Sequence, residues 1–221
     1  MQVKDRTPER FDPEPSPDCG RCSRLKAYRT ANRAANPDWF NRPVPGFGDA
    51  NARLLIIGLA PGLKGANRTG RPFTGDWAGD LLFATLAKFG FADGAYEARP
   101  DDGLRLRDVF ITNAVRCVPP QNKPLGAEIT NCRPFLEAQI RSMPKLRLLL
   151  ALGRIAHDST LSALAEKRSA HAFGHNATHR LEGGLMLVDS YHCSRYNTNT
   201  RRLTVDMFEQ VFEHIRGLLE S

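Results

Sequence analysis

The stretch Leu54-Leu55-Ile56-Ile57-Gly58-Leu59-Ala60-Pro61-Gly62 decides the fold class. Four large aliphatic residues in a row, with no alternating polar partner, describe a strand buried on both faces, as in a parallel sheet. The glycine and proline that follow end the strand in a tight turn. Three further runs repeat the pattern: Val109-Phe110-Ile111, Leu148-Leu149-Leu150-Ala151-Leu152 and Leu185-Met186-Leu187-Val188. Between them, apolar residues recur at helical spacing. Leu82, Leu86 and Phe89 fall at i, i+4 and i+7, with Gly90 placed to stop the helix. A second helix is expected from about Ile155 to Lys167, and a last one from Thr204 to about Leu219 with Met207, Val211, Ile215 and Leu218 on one stripe. Strands alternating with helices predict an α/β fold of three layers, α/β/α, around a central four-stranded, mainly parallel sheet. In such folds ligands gather at the carboxyl ends of the strands.

A chain of 221 residues fits one domain, at roughly 150 residues per domain. Residues 1–18, with Pro8, Pro13, Pro15 and Pro17 set among charges, read as a flexible lead-in, and residues 19–221 as a single domain. The net charge of +7 favours a polyanionic partner, because counterions released from phosphates drive basic proteins onto nucleic acid. A soluble basic surface has the same charge. No apolar signal region precedes Cys19, and no apolar run approaches the roughly 20 residues that span a bilayer. No membrane partner is expected, and the expected location is cytoplasmic, with the nucleoid.

Five cysteines without an export signal argue against a disulfide framework. Cys19 and Cys22 form a C-x-x-C pair, Cys117 follows a predicted strand and Cys132 lies in a helical pattern. Thiolates from separate elements can converge on one soft cation or cluster, and spacing does not separate zinc from iron–sulfur. For each cysteine taken singly, a small buried apolar side chain is the alternative.

The first loop continues from Gly62 to Asn67-Arg68-Thr69-Gly70-Arg71-Pro72-Phe73-Thr74-Gly75-Asp76, and a second reads His192-Cys193-Ser194-Arg195-Tyr196-Asn197. With the cysteine pair, Arg116-Cys117-Val118-Pro119-Pro120 and Cys132 in that order, the chain resembles family 5 uracil-DNA glycosylases, the type b branch with an iron–sulfur cluster. The likeness runs from about Cys19 to the C-terminal helix. It implies a [4Fe–4S] cluster on Cys19, Cys22, Cys117 and Cys132 that pins the N-terminal segment, with Cys193 a free thiol packed beneath its loop. It also implies a monomeric enzyme acting on double- or single-stranded DNA. Such an enzyme flips a nucleotide out, hydrolyses the N-glycosidic bond of uracil or of deaminated bases such as hypoxanthine, and leaves an abasic site.

Breaking that bond creates a base anion and a cationic sugar together. Glycines at Gly58 and Gly62 allow backbone to approach the base closely, with Ala60 between them. His192 is expected to stabilise the leaving base, and Asp76 to orient water or stabilise the sugar, unless it merely caps the following helix. Phe73 resembles the family's stacking platform. Asn122 and Asn113 are both amides able to pair with a base edge, and the resemblance favours Asn122 as the selector, with Asn113 second; an unmatched amide is otherwise a turn former. Arg195, Tyr196, Asn197 and Arg201, with Arg202, are expected on the DNA side, Tyr196 or Arg195 as a wedge. His157, His171, His175, His179 and His214 are read as surface or packing residues. Two other readings compete: a catalytically silent DNA-binding module carrying a cluster or zinc, and a nucleotide-binding enzyme, against which the missing Gly-Lys-Ser/Thr ending counts.

Overall fold

The computed structural model describes residues 11–220. The first half of the chain builds Ser23–Ala35 (α1), Phe47–Gly48 (β1), Leu54–Gly58 (β2), Ala66–Thr69 (α2), Trp77–Lys88 (α3), Ala92–Asp93 (β3), Arg105–Leu106 (β4) and Val109–Asn113 (β5). The second builds Gly126–Ser142 (α4), Leu148–Leu152 (β6), Arg154–Ala163 (α5), Thr178–Arg180 (β7), Met186–Ser190 (β8), Arg195–Asn199 (α6) and Val205–Glu220 (α7).

The main sheet runs β1-β5-β2-β6-β8-β7. Its four central strands are parallel and are the four apolar runs of the sequence. The sheet has six strands rather than the expected four, because β1 and β7 add to its edges in antiparallel sense. Those edges are two and three residues long, and no apolar run marks them.

Double-sided burial follows the strand period of two. Leu54 and Ile56 join Leu82 and Leu86 of α3 and Phe208, Val211, Phe212 and Ile215 of α7 on one face. Leu55 and Ile57 join Leu136 and Ile140 of α4 and Leu161 of α5 on the other. Each such side chain, fully buried, contributes roughly 1.5–3 kcal/mol, which commits the three layers. The stripe of α7 is turned slightly from the expected one: Val211 and Ile215 are buried, but Phe208, Phe212 and Leu219 complete the face, with Met207 and Leu218 at its margin. Helix α5 stops at Ala163 rather than near Lys167, because Ala165 takes a left-handed φ of 58° and the Glu166 N–H turns back to the Leu161 carbonyl at 2.8 Å.

Of the expected lead-in, residues 1–10 lie outside the described residues. From Phe11 onward the segment lies against the domain. Phe11 packs on Phe135 at 5.0 Å between ring centres, and Glu14 accepts from the buried Arg116 guanidinium at 3.1 Å.

Candidate active site

The register of the sheet sets Gly58 beside Asn113 at the carboxyl ends of β2 and β5. There, together with the segment after β8, the fold leaves a cavity of about 370 Å³. Asp76 and His192 both line it, as do Phe73, Asn113 and Asn122. Ala60 and Gly62 form part of the wall as expected, whereas Gly58 lies behind it. A Cβ on Gly58 would come within 2.4 Å of Asn113 Oδ1 and 2.6 Å of Phe73 Cζ, so a side chain there would displace two of the lining groups.

Asp76 is the N-cap of α3, where its Oδ1 accepts from the Gly79 N–H at 3.2 Å. Its other oxygen faces the first loop: a Cβ at Gly65 would approach Oδ2 to 2.4 Å, and one at Gly62 to 3.0 Å. Capping and cavity lining are therefore properties of the same carboxylate. Burial raises its pKa, against the lowering effect of the Gly79 and Ala78 backbone donors.

His192 stands opposite, its ring stacked on Phe73 at 6.0 Å between centres and 27° between planes. Its Nδ1 is buried without a hydrogen-bond partner among the described residues. Burial lowers the pKa to about 4, so the imidazole is neutral at physiological pH. A buried polar atom without a partner is uncommon, and one beside a cavity is a group available to a ligand.

Phe73 adopts a left-handed φ of 54°, which a bulky side chain rarely takes. Two features impose it. Tyr96 Oη lies 3.3 Å from the Phe73 carbonyl and accepts from the Gly75 N–H at 3.1 Å. Gly79 leaves room for that carbonyl, since a Cβ would come within 1.7 Å of it. Below, Arg71 pairs with Asp102 through bonds of 2.7 and 2.6 Å and holds Asp102 well below the usual carboxylate range. Asn113 is buried at the strand end, while Asn122 is exposed in a turn closed by its own N–H to the Pro119 carbonyl at 3.2 Å.

The second loop is organised by α6. Ser194 caps it, and the Asn197 amide donates to the His192 carbonyl at 2.8 Å, so Asn197 turns inward rather than toward solvent. Arg195 lines the cavity and Tyr196 is 72% exposed. Arg201 is exposed at a left-handed φ of 56°, and Arg202 lies over the Tyr191 ring at 4.8 Å. Cys193 is fully buried in the core below, its Sγ 3.5 Å from the Ala78 carbonyl. Trp77 and Ser194 also line the cavity. Neither was singled out in the sequence, although the position of Trp77 next to Asp76 was a usable signal.

Away from this site, Cys19, Cys22, Cys117 and Cys132 line one small cavity beside α1 and α4. Arg29 fixes the first loop there by donating to the Cys19 carbonyl at 2.6 Å. The Arg116 N–H donates to Cys132 Sγ at 3.3 Å. Burial pushes the Cys117 thiol up to about 12 and Cys132 up to about 11.

Comparison with known proteins gives the family. The profile of the Uracil DNA glycosylase superfamily matches residues 45–216. The chain belongs to that superfamily. It is similar to the type-5 uracil-DNA glycosylase of Thermus thermophilus, at 46% identity over 90% of this chain and 93% of that one. The type-5 uracil-DNA glycosylase of Pyrobaculum aerophilum is 39% identical over 87% and 85%. A crystal structure of Pedobacter heparinus SMUG2 shares the fold at 13% identity, with a TM-score of 0.50 over 77% of each chain. In this superfamily member, Asp76 and His192 come from loops more than a hundred residues apart and meet in one cavity.

Proposed function

We propose that this chain is a monofunctional DNA repair glycosylase that hydrolyses the N-glycosidic bond of uracil, and of deaminated purines such as hypoxanthine, in DNA. The observation that carries the reading is the shared cavity, with a buried carboxylate on one side and a neutral imidazole on the other. A cavity of about 370 Å³ lies within the range of small-ligand sites and suits one extruded base. The base stacks on Phe73, the Asn122 amide pairs with its edge, and Asn113 supports it from behind. As the bond lengthens, His192 donates a hydrogen bond to the base, where negative charge develops. The Asp76 carboxylate faces the cationic sugar and orients the attacking water. Among the described residues none that lines the cavity is a lysine, which favours hydrolysis to an abasic site over Schiff-base strand cleavage.

Arg195 lines the cavity and the exposed Tyr196 follows it in the chain, either of them able to fill the gap that a flipped nucleotide leaves, and the positive charge of the chain supports binding to phosphate. Cys19, Cys22, Cys117 and Cys132 would hold a [4Fe–4S] cluster. All four line one small cavity, and thiolates are the ligands that such a cluster takes. When bound, the cluster supplies a four-point cross-link between the N-terminal segment and the domain.

Duplex oligonucleotides carrying one uracil or one hypoxanthine, incubated with the protein and then treated with alkali, test the reading. Strand breakage at the lesion is expected. Tight binding without release of either base would return the chain to the silent-module reading. A brown protein that turns colourless in the Cys117→Ser variant is expected for the cluster, and a colourless wild type with bound zinc would overturn it.

A further inference from the structure

Trp77 is the first residue of α3, next to Asp76, and 44% exposed at the rim of the cavity. Its indole Nε1 donates to Thr198 Oγ1 at 2.9 Å, across 121 positions of sequence. The Thr198 hydroxyl can place its own proton on the Arg195 carbonyl, 3.1 Å away, which leaves a lone pair for the indole, a group that only donates. One residue earlier, Asn197 holds the His192 carbonyl. The guanidinium of Arg195 lies over the indole at 5.0 Å from its centre. A path of covalent and hydrogen bonds thus runs from Asp76 through Trp77, Thr198 and Asn197 to His192. Deeper in, the same segments meet through the weak contact of Cys193 with the Ala78 carbonyl.

We propose that Trp77 is a positioning residue for excision: it fastens the His192 loop to the Asp76 helix and so fixes the separation of the two groups across the reacting bond. The inference rests on the glycosylase reading above. Helix α6, at five residues, is too short to hold its own place, so its position depends on what it is tied to. An exposed hydrogen bond adds little to global stability. Displacing a catalytic group by a fraction of an ångström costs rate without costing the fold.

Single-turnover excision from a uracil duplex, duplex affinity and thermal melting are measured for Trp77→Phe, Thr198→Val, the double variant and Thr198→Ser. Trp77→Phe keeps an aromatic face for Arg195 but removes the N–H, and Thr198→Val removes the acceptor. Each is expected to slow excision by about threefold to tenfold, with affinity and melting unchanged. The double variant should be no slower than either single one, because both remove the same bond. Thr198→Ser should restore the wild-type rate. Multiplicative losses in the double variant, a Thr198→Ser protein as slow as Thr198→Val, or a Trp77→Phe protein that loses affinity at full rate would each overturn the proposal. A wild-type protein that releases no uracil defeats the glycosylase reading; one that releases it at the rate of Trp77→Phe defeats only this inference.

Discussion

Around Asp189 the protein buries a carboxylate among imidazoles and pairs them; beside Asp76, which caps α3, it leaves the Nδ1 of His192 buried with no partner among the described residues. Asp189 Oδ1 lies 2.7 Å from His157 Nδ1 and Oδ2 lies 3.0 Å from His179 Nε2, while His157 Nε2 faces the His171 carbonyl at 3.0 Å. Both nitrogens of His157 therefore meet acceptors, as in an imidazolium. Burial pushes its pKa down, but the Asp189 carboxylate and the His171 carbonyl outweigh that and raise it. In the cavity, burial dominates instead, raising Asp76 and lowering His192. The same two residue types form a closed structural network in one place and an open site in the other. What separates them is whether the protein supplies the missing partner or leaves that to a ligand.

The sharpest way to break this contrast is Asp76→Asn. Asparagine caps a helix about as well as aspartate. Melting should hold while single-turnover excision falls by roughly 10²- to 10⁴-fold. A folded Asp76→Asn protein with wild-type rates would make Asp76 a cap and nothing more. Asp189→Ala should do the reverse, strand buried imidazoles, and lower the unfolding free energy in urea by about 3–5 kcal/mol. The rate of its folded fraction should stay near wild type; a catalytic loss without destabilisation would place Asp189 in the active site. His192→Ala should slow excision by roughly 10²- to 10³-fold and leave duplex binding intact.

The smallest effect is in the pH dependence of stability, where the two histidines have opposite signs. His192 stays neutral in the fold down to about 4, while an unfolded imidazole takes its proton at about 6.5. Melting temperature should therefore fall, relative to His192→Ala, as the pH drops from about 6.5 toward 4. His157 is raised, so its contribution is complete below about 6.5 and is lost as the pH rises through its folded value. Melting of wild type against His157→Gln across pH 5 to 9 checks that sign. A parallel response from both variants would erase the distinction.

The layered α/β fold was legible because β2, β5, β6 and β8 each carry an unbroken apolar run. The edge strands were not, since Phe47–Gly48 and Thr178–Arg180 are too short for a period to register. Asp76, Phe73, Asn122 and His192 could be named from their motifs, and all four line one cavity. Their supports could not. Tyr96 and Gly79 hold Phe73 through contacts that have no local pattern, and the space for Asp76 at Gly65 exists only once the chain has folded. His157 and His179, read as packing residues, do pack, but their shared carboxylate at Asp189 is set by β8 lying between β6 and β7, which is a matter of topology.

Gln121 and Asn122 stand in succession at φ of 55° and 56°. Few side chains other than glycine tolerate that region, and asparagine, aspartate and histidine are the commonest that do. The repertoire at position 122 is thus narrowed by the handedness of the main chain and, on the proposed function, a second time by the edge of the nucleobase. Anyone wishing to redirect this pocket toward a different lesion starts there with a short alphabet: aspartate and histidine can enter without remaking the bend, whereas valine or isoleucine would unmake it first.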